Sequence, residues 1–160
     1  MSLPLLHSPA DILRWLLIDL GEGSDPTLVP VTATPPANSW PAYEGGAPGT
    51  PDDILTCFNT TSKPAMRTMI DGEFSKFHGF QIQVRSAEQP TGATKAHRLK
   101  QILTENVYQN SVIVTSGGQT ATYIMYNISD VHVEALGKLV PQSKHTIHTL
   151  SGYLTIGRIL

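Results

Sequence analysis

Two histidines stand three residues apart near the end of the chain, His145 and His148, and paired histidines are a common start to a metal site. The run from His145 to Ile159 reads as a final strand, in which positions three apart point to opposite faces. Such a pair cannot chelate one ion, so no metal is expected, and a solvated or interface role fits both rings. The adjacent carboxylates Asp52-Asp53 precede another strand, where neighbouring side chains diverge. They read as turn formers rather than an acid–base pair. Asp71 and Glu73 flank Gly72 and read the same way. Gly45-Gly46-Ala47-Pro48-Gly49 lacks the lysine and the following helix of a phosphate loop, and its proline removes an amide. No Gly-x-Ser-x-Gly elbow is present. Cys57 lies in the apolar run Ile54-Leu55-Thr56-Cys57-Phe58 and reads as a small buried hydrophobe, not a reactive thiol. As the one cysteine it excludes an internal disulfide. The expectation is a chain with no catalytic residues, no cofactor and no enzymatic activity.

The cations give a second chemistry. Lys95, Arg98 and Lys100 cluster with His97 on one predicted helix, diluted by Glu105. On a single molecule this is a solvated face. Repeated in every subunit of a ring, the same residues would line a channel through which DNA can pass. Composition agrees with a surface given over to neighbours or to uncharged polar residues. Of 160 residues, 40% are hydrophobic and 15% charged, against a usual charged share of roughly 25%. The formal net charge is -2, so nothing suggests an electrostatic grip on nucleic acid. No run approaches the ~18–20 apolar residues of a membrane span, and the start of the chain has no basic n-region, so neither membrane nor secretion is expected.

These side chains must be placed by a small number of elements. Ser8 can cap a helix, Pro9 suits its first position and Gly21 stops it, which predicts a helix over 9–20. Ile12, Leu13, Leu16, Leu17 and Leu20 form its core stripe; Trp15 and Ile18 fall outside it. Residues 21–52 read as a long, semi-ordered arm, with an edge strand at 27–31 and aromatic anchors Trp40 and Tyr43, that orders on assembly. Asp53–Phe58 reads as a strand, Asn59–Pro64 as a turn, and Met66–Ile70 as a weak strand ending at the hairpin signal Asp71-Gly72. In Phe77–Ser86, Phe80, Ile82 and Val84 alternate with Gln81, Gln83 and Arg85. A second helix is predicted over 92–108, with Ala96, Leu99, Leu103 and Val107 inward. Strands follow at Val112–Thr115, Thr120–Ile128 and Val131–Leu136, the first two joined by a turn at Ser116–Gln119, and Gly152 is expected as a bulge in the last strand. The order implies a single α+β domain over 1–160: a mostly antiparallel or mixed sheet with two main helices on one face. Residues 53–128 hold the sheet and the second helix, and 129–160 the C-terminal strands.

Four stretches carry a resemblance: Ser8-Pro9-Ala10-Asp11-Ile12-Leu13-Arg14-Trp15-Leu16-Leu17; Trp40-Pro41-Ala42-Tyr43 with Pro51-Asp52-Asp53-Ile54-Leu55-Thr56; His78-Gly79-Phe80-Gln81-Ile82-Gln83-Val84-Arg85; and Ala93–Val107. Together they resemble the minor capsid proteins that act as tail terminators, or tail-completion proteins, of long-tailed bacteriophages. The resemblance implies a homo-oligomeric ring, a hexamer, that caps the finished tail tube, stops its polymerisation and offers a surface to the head-completion or connector protein. DNA would pass through its lumen without specific recognition. It also implies a place in the virion, at the head–tail interface, after assembly in the host cytoplasm. Ring closure needs two different complementary patches; the candidates are Trp15, Ile18, Trp40 and Tyr43 for one, and Gln81, Gln83 and Arg85 for the other, with Lys95, Arg98 and Lys100 facing the lumen. The alternatives are a head-completion or neck protein, or a small ligand-binding or enzymatic domain.

Overall fold

The computed structural model describes residues 3–28, 38–49, 51–67, 74–108, 110–137 and 145–159. Helix α1 spans Pro9–Asp19. Its start is set by Ser8, whose hydroxyl accepts the Asp11 amide at 3.1 Å, with proline in the first turn. Its end is a Schellman motif: Gly21 adopts φ 77°, its amide donates to the Ile18 carbonyl, and the Glu22 amide reaches back to Leu17 at 2.9 Å. Ile12, Leu13, Leu16 and Leu17 are fully buried, as the stripe requires, while Leu20 is half-buried. Each such burial stabilises by about 1.5–3 kcal/mol relative to exposure.

Seven strands follow the order β1-β2-β3-β4-β7-β6-β5. They are β1 Gly23–Ser24, β2 Trp40–Glu44, β3 Ile54–Arg67, β4 Phe74–Ser86, β5 Ser111–Ser116, β6 Gln119–Gly137 and β7 Thr146–Ile159. The first two junctions are parallel and the rest antiparallel. Helix α2, Gln89–Asn106, begins three residues before the predicted start, with Pro90 in its first turn. Ala96, Leu99, Leu103 and Val107 are fully buried.

Opposed residues share a face, so the register sorts the sheet. Cys57, Ile82 and Leu150 form one inward row, and Leu55, Val84 and His148 the next. The Ala10 amide donates to Asn59 Oδ1 at 2.8 Å, and Gly92 lies against the His148 ring, so α1 and α2 sit on this same face. Helix α1 touches β2 and β3 near one end of the strand order and β5 at the other, so the sheet curls around it. This is the α+β fold the sequence implied.

Several local expectations are corrected. Asn59–Pro64 is strand, not turn. It continues β3 against β4 with register shifts between Thr60 and Lys63 and between Pro64 and Met66, the irregular setting in which a strand tolerates proline. Val131–Leu136 is not separate but continues β6, past a shift between Ser129 and His132 where Asp130 adopts φ 54°. Gly152 is not itself the bulged residue: β7 pairs with β4 without interruption, and the extra residue lies opposite it on β6, between Ser129 and His132. Its reason is space, since a Cβ there would stand 3.0 Å from Phe80 Cζ and from the Ser129 carbonyl oxygen. Pro26–Leu28 form a turn rather than the start of an edge strand; 29–31 and Asp71-Gly72 lie outside the described residues. The predicted turn between β5 and β6 holds, with Gly117 and Gly118 both at positive φ, as a two-residue hairpin turn demands.

Candidate assembly surfaces and the clamp beside them

Glu22 follows the stop of α1 directly, and α2 delivers two cations to it. Lys95 Nζ meets Glu22 Oε2 at 2.7 Å, and Arg98 NH2 meets Glu22 Oε1 at 2.9 Å. The Lys95 ammonium also donates to the Glu22 carbonyl at 3.0 Å and to the Asn38 carbonyl, so its three N–H groups are all engaged. Lys95 is only 4% exposed and Glu22 2%. Burial alone would raise the Glu22 carboxyl, but the Arg98 and Lys95 hydrogen bonds outweigh it and hold the group below the usual carboxylate range. Burial pulls the Lys95 ammonium below the ordinary lysine range, against the opposing pull of Glu22.

A second ionic group stands one turn away. Asp25 Oδ1 accepts from the Thr27 amide at 3.0 Å, from the Thr27 hydroxyl at 2.8 Å and from Arg14 NH2 at 3.1 Å. Arg14 Nε donates to the Ala42 carbonyl at 2.7 Å. Burial would raise the Asp25 carboxyl; the Thr27 bonds and Arg14 overcome it and lower it. The two groups fasten residues 22–27 and 38–42 to both helices. The described parts of the arm expected to order only on assembly are therefore bound into the lone chain.

This revises the cation reading. Lys95 is not a lumen residue: it points inward, and its Nζ lies 5.6 Å from the Trp40 ring centroid. Arg98 is half-exposed but paired with Glu22, and Lys100 is exposed on the solvent side of α2. Trp40 is likewise not a surface anchor; at 9% exposure it belongs to the core, because β2 lies within the sheet against α1 and Lys95 of α2 reaches over its ring. Trp15 is half-buried against the core, with its indole Nε1 buried and unpartnered, and Ile18 and Tyr43 are half-buried. Gln81, Gln83 and Arg85 do share one face, the one opposite the helices, and each is half-buried there. Arg85 NH2 donates to the Pro48 and Pro51 carbonyls at 2.7 and 2.8 Å, which holds both segments, 45–49 and 51–53, over that face.

The remaining chemical candidates separate as their parity predicts. His145 Nε2 meets Asp52 Oδ1 at 2.6 Å. His148, expected on a solvated or interface face, is instead buried: it stands in the inward row of Leu55 and Val84 against Gly92 of α2, with Nδ1 unpartnered, and burial together with His97 lowers its pKa. Burial also pushes the Cys57 thiol up to about 12, which keeps it protonated. Among the described residues no group of three or more His, Cys, Asp or Glu side chains could hold a metal ion.

Sequence reasoning missed an apolar patch at the other end of the sheet. In one cross-strand row Ile113 opposes Thr122, and Thr122 opposes Ile159. The next row holds Ser111, Ile124 and Gly157, with the Tyr126 ring lying over Gly157. Ile113, Tyr126 and Ile159 are 61%, 51% and 41% exposed. Val112 and Val114 alternate with Ile113 and are buried under α1, so the patch lies on the face without helices. The signal in the sequence was an apolar residue at every central position of Val112-Ile113-Val114, which pairing alone resolves into two faces.

No family model and no curated protein matches the chain. Among solved structures, a chain of the virion of a native gene transfer agent particle is similar over 72% of this chain and 78% of its own, at 11% identity and a TM-score of 0.43. A second solved chain is similar over 76% of this chain and 80% of its own, at 14% identity and a TM-score of 0.40.

Proposed function

We propose that the chain is a structural subunit of a tailed-phage virion and works as a tail terminator: a ring that caps the tail tube, halts its polymerisation and presents the joining surface to the head. The observation that carries this reading is the distribution of charge. A chain already poor in charged residues commits Glu22, Lys95, Asp11, Arg14 and Asp25 to buried or half-buried ion pairs. On the helix-free face Arg85, His132 and Glu134 stand in and beside the rows of Gln81 and Gln83, whereas the rows around Ile113, with Ser111, Thr122, Ile124, Gly157 and Ile159, carry no charge. Depletion of charge with exposed aromatic and aliphatic groups is the composition of protein interfaces. The four sequence stretches that resemble tail terminators supply the specific assignment.

In the ring, Trp15, Ile18 and Tyr43 form one lateral patch and Gln81, Gln83 and Arg85 the other, since closure requires two different complementary surfaces. Lys100 faces the lumen, where one weak cation per subunit repeats around the circle and lets DNA slide without a fixed register. The tube subunit and a head-completion protein dock on opposite rims. Negative-stain imaging of a host lysate lacking this gene tests the reading. Abnormally long tails or tails without heads are the expected result; normal virions overturn it.

A further inference from the structure

Strand β5 ends the sheet, and no described strand pairs with its outer side. Its six residues, Ser111-Val112-Ile113-Val114-Thr115-Ser116, contain no charge, no proline and no bulge. Open edges are normally blunted by one of those devices. The outer side of β3 beyond Phe58 shows them, with Lys63, Pro64 and two register shifts. The edge of β5 shows none of them, and its own sequence is suited to one particular partner.

Ser111 to Thr115 reads nearly the same in both directions: a hydroxyl residue, Val, Ile, Val, a hydroxyl residue. Laid antiparallel on a second copy with Ile113 on the two-fold axis, Ser111 opposes Thr115, Val112 opposes Val114 and Ile113 opposes itself. Like faces meet throughout, because the register keeps parity. The hydrogen bonds agree. The Met125 amide donates to the Asn110 carbonyl at 2.9 Å, so Asn110 and Met125 form a bonded pair. Two residues on, Val112 with Tyr123 and Val114 with Ala121 are the bonded pairs in turn. The N–H and C=O groups of Ser111, Ile113 and Thr115 therefore point outward. In the dyad register those three residues face one another's counterparts, and each opposed pair exchanges two backbone bonds. On the helix-free face the row Ile159, Thr122, Ile113 then continues into the partner's Ile113, and exposed apolar surface is covered on both sides of the axis.

We infer that two copies of this chain pair through antiparallel β5–β5 association about a two-fold axis at Ile113, merging their sheets. This contact is isologous, whereas a ring closes through heterologous ones. It goes beyond the terminator reading and does not depend on it: it serves a free dimer or two rings set face to face.

Sedimentation and light scattering on the full chain test it, with three variants. The wild type is expected to form two-chain species, or multiples of them. Ile113→Lys places like charges opposite each other on the axis, and Thr115→Pro removes an outward amide that an unpaired edge does not use. Both are expected to halve the particle mass while leaving circular dichroism unchanged. Ile113→Cys is expected to cross-link under mild oxidation, since opposed strand positions lie ~5.5 Å apart, within disulfide reach. A Thr122→Cys control, one strand further from the axis, is expected not to cross-link. A wild type that stays monomeric at high concentration, a mass unmoved by both Ile113→Lys and Thr115→Pro, or equal cross-linking at the two cysteine sites overturns the proposal. An isolated six-fold ring that keeps Ile113 solvent-accessible overturns it while leaving the terminator reading intact.

Discussion

The two ends of the sheet handle their polar groups in opposite ways. At the β1–β2 end the strands are short, yet their surroundings are locked: Glu22 and Asp25 each take several donors, and the chain crosses back under Lys95 and Arg14. At the β5 end the β5–β6 pairing is regular, yet no described strand pairs with the outer side of β5, and Ile113 of β5, Tyr126 of β6 and Ile159 of β7 are exposed. Regular structure and completeness are thus different properties. The irregular end is fastened by ion pairs and hydrogen bonds from within the chain; the regular end offers a strand edge without such fastening.

That contrast can be broken by mutation, and the largest effect belongs to the clamp. Lys95→Ala leaves Glu22 buried with only Arg98 beside it, and removal of one partner from a buried pair costs roughly 3–5 kcal/mol. Lys100→Ala, on the solvent side of the same helix, is expected to stay within about 0.5 kcal/mol of the wild type. Urea unfolding of the two variants checks the difference; equal stabilities would remove the clamp from the account.

Acid should act at the same end with a smaller effect. Glu22 and Asp25 both have folded pKa values below their ordinary values of 4.5 and 3.8. Their contribution to stability is fully present above those ordinary values and is lost as the pH falls through the folded ones. Acidification below about pH 4 is therefore expected to loosen residues 22–27 and 38–42 before the β3–β4–β7 centre opens. Amide exchange resolved by segment checks this; uniform loss across the sheet would contradict it.

The smallest effect is expected at the open end. Ile113→Thr keeps β-branching and removes apolar surface that the lone chain does not bury, so monomer stability should change by less than about 0.5 kcal/mol. Thermal unfolding at low concentration checks it. A large loss would mean that Ile113 is already covered, and would erase the contrast between the two ends.

Legibility in the sequence followed the range of the forces involved. Both helices were readable because caps and the 3.6-residue period are local: Ser8, Gly21 and the stripes of α1 and α2 fall where they were expected. The alternation in β4 correctly put Gln81, Gln83 and Arg85 on one face. The run Asn59–Pro64 was misread because its turn-forming residues are overridden by pairing with β4, a long-range contact that local propensity does not encode. Lys95 and Trp40 were misread for a related reason. Lys95 stands at the edge of the α2 stripe, four residues before Leu99, and its charge made it read as surface; the return of the chain past Glu22 and Asn38 is what covers it.

By itself, then, the sequence determined the α+β class, the two helices with their buried stripes, the outward set on β4, and a charge content low enough to point toward assembly. The tertiary structure alone decided which of the few charges remain free, that the strand order ends on β5, and that Ile113, Tyr126 and Ile159 meet on one face. The physical reason is that periodicity fixes which side of an element is apolar, whereas the burial of an ion pair and the openness of an edge depend on what the rest of the chain brings against them.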